Sequence, residues 1–151
     1  LNGAGEVIMP FQVALANQTS MAPFNHYNLD PGSALHALGS AIDWRGRPFE
    51  PVLSHYTMSY RLDDLIAQFD RLSPNHIKID VDGIENEVLL GARKTLKEPA
   101  LETVLIETYD GREFASDIVS LLRESGFELV WREHDNFLYA RSKVVKDESS
   151  E

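Results

Sequence analysis

The spacing of apolar positions changes several times along the chain, and each change predicts an element. Residues 7–16 (VIMPFQVALA) form a short apolar run ended by Asn17, read as a buried strand. Pro10 marks its start or an irregularity, because proline cannot donate to a sheet ladder. A short edge strand is expected at residues 22–27, and another strand at 56–61. Between them, residues 30–54 are rich in Gly, Pro and Ser and keep no period. A loop this long inside a compact domain carries function or disorder. Leu62, Leu65, Ile66, Phe69 and Leu72 then share one helical face, opposite Asp63, Asp64, Gln68 and Asp70. Ser73-Pro74 stops that helix, since the residue before proline avoids the α region. Residues 77–81 are the next strand, and Ile84, Val88, Ala92 and Leu96 give the following helix its stripe. Residues 103–108 (TVLIET) are a buried strand. Phe114, Ile118, Leu121 and Leu122 mark a third helix, stopped by Gly126. Residues 127–132 and 137–141 flank His134-Asp135-Asn136 and predict a closing β-hairpin.

Strands alternating with helices on short links predict an α/β domain with a mostly parallel sheet, helices on both faces and right-handed crossovers. In such sheets ligands bind beyond the carboxyl ends of the strands. Those ends are Asn17, residues 80–83 and residues 107–111. The segment HIKIDVDGIENEVLLG at 76–91 therefore lies where a ligand is expected.

Composition narrows the function classes. At 151 residues the chain suits one domain with a real core. Its formal charge of −10 argues against a nucleic-acid backbone or an anionic membrane as partner. No apolar run approaches a membrane span, and no basic-then-apolar signal segment opens the chain, so a cytoplasmic location is expected. With no cysteine, disulfides, thiolate nucleophiles and Cys-based zinc sites are excluded. The five histidines form no i,i+4 pair, so no metal site is expected, and each is read as a surface residue.

Within 76–91, Asp82-Gly-Ile-Glu85 matches a capping box with aspartate at the cap: Asp82 accepts from the first free helix amides and Glu85 reaches back. That leaves Lys78 and Asp80, which share one side of the strand. A carboxylate on a covered sheet face is costly unless it is paired or faces a site. Lys78 is the partner within reach; otherwise Asp80 belongs to chemistry.

HIKIDVDGIENEVLLGARKTL resembles the hallmark segment of FkbM-type methyltransferases: a Lys-Ile-Asp strand, an acidic-glycine turn and a Val-Leu-x-Gly-Ala helix. The family usually has glutamate where Asp82 stands. FQVALAN, YRLDDLIAQF, LETVLIETYD and LLRESGFELVWREHDNFLYARS are similar to successive family segments, so the likeness spans nearly all of residues 7–142 outside 30–54. The strand and glycine-rich turn that hold S-adenosylmethionine in this family have no counterpart here. The expectation is thus the C-terminal part of a Rossmann-like class I catalytic domain at 1–142, followed by a polar tail at 143–151.

The resemblance implies that the full-length protein is an S-adenosylmethionine-dependent O-methyltransferase acting on a hydroxyl of a sugar, glycan or natural product, with residues 1–151 alone expected to be inactive and a homo-oligomer as an open option. By position, Asp80, Lys78 and Glu107 are the catalytic candidates. Asn17, Asp80, Val81 and Gly83 are the cofactor candidates. His55, Tyr56 and Tyr109 are the acceptor candidates, with Trp44 and Phe49 as further pocket or loop-packing residues. Two rivals remain at this stage: a non-catalytic or degenerate interaction module, and a metal-dependent phosphotransfer domain. Asp80-Val-Asp82-Gly83 echoes a calcium loop, but Gly91 stands where that loop needs its last glutamate.

Overall fold

The computed structural model describes residues 7–69, 73–108 and 115–142. Its elements are β1 (Ala14–Leu15), β2 (Ser20–His26), β3 (Ala37–Leu38), β4 (Leu53–Tyr60), α1 (Leu62–Gln68), β5 (His76–Ile79), α2 (Glu85–Leu90), a 3-10 turn at Thr95–Lys97, β6 (Thr103–Glu107), α3 (Ala115–Glu124), β7 (Phe127–Glu133) and β8 (Asn136–Arg141). They build two four-stranded sheets, ordered β1-β4-β2-β3 and β5-β6-β8-β7.

The single, mostly parallel sheet with helices on both faces does not form. Only β1/β4 and β5/β6 pair in parallel; β2/β3, β2/β4, β6/β8 and β7/β8 are antiparallel. The physical reason lies in the connections. A parallel pair needs a crossover, usually helical. Residues 30–54 carry no helical period, so the chain returns antiparallel, pairing Ser20–His26 with Leu53–Ser59 over seven positions. The β5–α2–β6 unit does have the helix, and its two strands are parallel.

Other boundaries also move. The run at 7–16 is not a buried strand: only Ala14 and Leu15 pair, and Val7, Ile8 and Met9 are 86%, 61% and 75% exposed. β2 is not an edge strand, because β3 and β4 flank it. α1 and α2 are shorter than their stripes. α2 stops at Leu90, and the chain turns through residues 91–94 into the 3-10 turn. The closing hairpin forms with a register shift between Leu129 and Trp131.

The apolar core belongs to the second sheet. Ile79, Val88, Leu89, Leu96, Leu101, Val104, Ile106, Ile118, Leu122 and Phe127 form one cluster, and Leu15 and Leu62 reach it from the first sheet and α1. Two polar hubs tie this core down. Buried Asp63 accepts the N–H groups of Lys94 and Thr95 and the Thr95 hydroxyl, at 2.8 to 3.1 Å, which satisfies the amides opening the 3-10 turn. Arg141 donates to the carbonyls of Leu96, Glu98, Leu101 and Ser125, at 2.9 to 3.0 Å, with its guanidinium 4.5 Å from the Phe127 ring centre. Gly91 lets the two halves touch: a Cβ there would lie 2.1 Å from the Ala16 carbonyl oxygen.

Candidate functional site

β5 delivers the hallmark acids to the mouth of a cavity of about 1170 Å³. Three pieces of chain enclose it. Val13, Ala14 and Leu15 come from β1 and the residue before it, residues 77–84 with Val88, Leu89 and Ala92 from β5 and α2 and their flanks, and most of the rest from the stretch between β2 and β4, with Phe24 of β2 and Leu62 of α1 added. That stretch supplies Ser33, His36, Asp43, Trp44 and Arg45. The unpatterned 30–54 segment is thus a wall of the site. The Arg45 guanidinium lies 4.2 Å from the Trp44 ring centre, and Arg47 and Asp43 brace the same turn through a 2.9 Å ion pair. Mostly apolar walls with a few convergent polar groups are the usual character of a ligand site.

Lys78 and Asp80 both line the cavity, with Lys78 Nζ 2.6 Å from Asp80 Oδ2 and each side chain about half exposed. The pair expected from the strand pattern is therefore present. Glu107, at the carboxyl end of the neighbouring parallel strand, lies beside this pair close enough for its charge and that of Asp80 to act on each other, but it does not line the cavity. The two carboxyls are driven apart. The hydrogen bond and charge of Lys78 hold Asp80 below the usual carboxylate range. Desolvation first, and then the Asp80 charge, push Glu107 up. Lys78 is in turn raised by Asp80. Two titratable groups separated in this way are the ordinary signature of divided proton roles.

Asp82 also lines the cavity but does not cap α2. The cap position is Ile84, with no side-chain hydrogen bond. The Asp82 carboxylate instead accepts the N–H of Leu35 at 2.6 Å. Gly83, at φ 110°, turns the chain after the acids, a conformation open to glycine without strain. The Gly83 N–H donates to Glu85 Oε1 at 3.1 Å, so the backward reach of Glu85 exists one residue later than expected. Val81 and Gly83 stand in the lining.

The remaining candidates are not brought there. Asn17 lies outside the main cavity, in a smaller concavity with Gln18, Ile84 and Glu87. His55 and Tyr56 are exposed on β4 and absent from the lining. Tyr109 lies outside the described residues. Phe49 packs against Tyr27, whereas Trp44 faces the cavity.

Three of the histidines read as separate surface residues come together. His26 Nε2 is 3.2 Å from His55 Nδ1, and the rings of His26 and His36 are 4.8 Å apart. Pairing of β2 with β4 creates this cluster, and no spacing in the sequence announces it. The Tyr27 N–H donates to His36 Nδ1, so neutral His36 carries its proton on Nε2, toward Ser33 Oγ. Burial, and then His36 and His55, hold the pKa of His26 below its ordinary value. Among the described residues, no group of three His, Cys, Asp or Glu is arranged to hold a metal ion, and no helix is long and apolar enough to cross a membrane.

A family model described as the Methyltransferase FkbM domain matches residues 4–129. No curated protein and no solved structure gives a significant match.

Proposed function

Because the chain belongs to the FkbM methyltransferase family, we propose that it transfers a methyl group from S-adenosylmethionine to a hydroxyl of a sugar, glycan or natural product. The carrying observation is the Lys78–Asp80 pair in the lining of a mostly apolar cavity, with Glu107 beside it at the end of the neighbouring strand. The lining suits the donor chemically. Apolar side chains of Val13, Leu15, Ile77 and Ile79 favour a flat base, and the Asp80 carboxylate complements ribose hydroxyls or a sulfonium cation. Asp80, Val81 and Gly83 are the residues that would hold it. When bound, S-adenosylmethionine would supply an electrophilic methyl group, with its sulfur as the leaving group.

The protein has two tasks in that reaction. It places the acceptor oxygen, which by itself accelerates a displacement greatly. It also removes the hydroxyl proton. Glu107, raised by burial and by Asp80, is the better base of the two carboxyls and takes that proton. Asp80, kept ionised by Lys78, orients the site and offsets positive charge. Once the proton reaches Glu107, the neighbouring Asp80 charge favours the protonated acid.

The test is transfer of labelled methyl from S-adenosylmethionine, by the full-length protein, to a panel of monosaccharides, glycans and hydroxylated small molecules. Glu107→Gln and Asp80→Asn should each lower transfer by about 100-fold or more while the melting temperature stays within a few degrees. Full activity in Glu107→Gln removes its role as base. Transfer only to amines or thiols removes the hydroxyl assignment.

A further inference from the structure

One contact in the cavity wall departs from what the local sequence dictates. The Asp82 carboxylate, expected to serve its own helix, bonds a backbone amide 47 residues away, that of Leu35. Leu35 sits at φ +71°, a conformation that a leucine side chain disfavours by roughly 1–2 kcal/mol. A neighbour has to hold such a residue in place, and the hydrogen bond from its own amide is to Asp82. On either side of Leu35, Ser33, Ala34, His36 and Ala37 line the cavity, as do Asp80 and Asp82. Beyond them the segment is anchored twice more. The Ser33 N–H donates to Asp30 O at 3.0 Å, and Ala37 pairs with Asn25 of β2.

We propose that Asp82 is a positioning residue: it clamps the 33–37 segment as a wall of the cavity and so fixes where the methyl acceptor lies relative to Asp80. The ligand in this statement rests on the methyl-transfer reading; the clamp itself does not. Asp82 follows Asp80 by two residues in the same turn, so the wall inherits its position from the strand end that carries the chemistry. An ionised acceptor makes a stronger hydrogen bond than a neutral one, which suits a contact that must hold a strained residue. Without it, Leu35 relaxes to negative φ and the wall around Ser33 and His36 changes shape.

The experiment uses Trp131→Phe as background, which leaves Trp44 of the cavity as the only tryptophan. Amide exchange at Leu35 and acrylamide quenching of Trp44 are measured in Asp82→Ala, Asp82→Asn and the double variant Asp82→Ala/Leu35→Gly. Asp82→Ala should speed Leu35 exchange about tenfold or more, leave the β6 amides within about twofold, and increase Trp44 quenching. Asp82→Asn keeps an acceptor oxygen at the same reach and should restore most of both signals. Leu35→Gly removes the backbone strain and should recover part of the quenching change in the alanine variant. With an acceptor in hand, Asp82→Ala should raise its KM more than it lowers kcat. Unchanged Leu35 exchange overturns the proposal. So does equal acceleration throughout β6, which would make Asp82 a general stabiliser of the fold. Absence of transfer in every variant, wild type included, would instead sink the methyl-transfer reading and leave exchange and quenching to decide the clamp.

Discussion

Gly91→Ala sets two physical effects against each other, and the structure decides the sign. Gly91 has φ −75° and ψ −10°, ordinary right-handed values, so its backbone does not require glycine. On helical propensity alone, alanine would stabilise by about 1 kcal/mol. Space says the reverse. The new Cβ would stand 2.1 Å from the Ala16 carbonyl oxygen, 3.1 Å from the Ala16 carbonyl carbon and 3.3 Å from the Arg61 Cα. Relief of the first contact needs a separation of close to 1 Å, and all three neighbours are backbone atoms that cannot rotate aside. Overpacking of this kind costs about 1–3 kcal/mol, at the upper end where only backbone can yield. The same shift strains the hydrogen bond from the Asp63 N–H to the Gly91 carbonyl, 3.0 Å in the native chain, worth about 1 kcal/mol more. The balance is a loss of about 2–3 kcal/mol, or a fall in Tm of about 5–10 °C for a chain of this size. Thermal and urea unfolding followed by circular dichroism measure it, with Gly46→Ala as the control. A Cβ at Gly46 meets nothing within 4 Å, and its φ of +78° should cost only about 1 kcal/mol. A Gly91→Ala protein that melts at or above the wild-type temperature refutes the close-approach argument.

Three other outcomes follow from the same geometry. Asp63→Ala leaves the amides of Lys94 and Thr95 without their acceptor and should lower stability by about 3–4 kcal/mol, read as a drop in the urea midpoint at unchanged slope. Lys78→Met removes the cation that opposes the upward push on Glu107, so the acidic limb of the methyl-transfer pH profile should move up by about half a unit or more; a profile that stays put or moves down contradicts the interaction of these charges. Because the pKa of His26 in the fold lies below its ordinary 6.5, its stabilising contribution is full above 6.5 and is lost as pH falls through the lowered value. Tm should therefore drop between about pH 7.5 and about pH 5, and His26→Gln should flatten that drop.

What the sequence made legible was local. The alternation in HIKI, in TVLIE and in NFLYAR yielded β5, β6 and β8, because one face of each strand meets the core and its period of two survives, whereas β7 is exposed beyond Phe127. The Lys78–Asp80 pair was readable for the same reason: two residues apart on a strand share a side. The failures are nonlocal. Residues 7–11 are apolar yet exposed, since hydrophobicity reports a preference for burial and cannot supply a neighbour to bury against. The pairing of β2 with β4 spans the unpatterned 30–54 stretch, and with it came the antiparallel first sheet, the histidine cluster and the cavity wall around Ser33, His36 and Trp44. His55 and Tyr56 were placed near an acceptor by their neighbourhood in sequence, but β4 presents them elsewhere. Asp82-Gly-Ile-Glu85 has the spacing of a capping box, and spacing alone carries no information about an amide at Leu35. Gly91 looks like an indifferent helix glycine until Ala16 is beside it.

The grip of Arg141 has a consequence for how the molecule comes apart. One guanidinium holds carbonyls of the turn before β6 and of the turn between α3 and β7, while its own backbone ends β8. Those segments lie 16 to 45 residues from Arg141 along the chain, yet neither can swing out without stripping the half-buried cation of at least one acceptor. Such an opening carries that cost on top of its own. Residues 96–101 and 125–141 are therefore joined into one cooperative block. Their slowest amides should exchange at a common rate, in a single event, and the strand that carries Glu107 lies in the middle of that block.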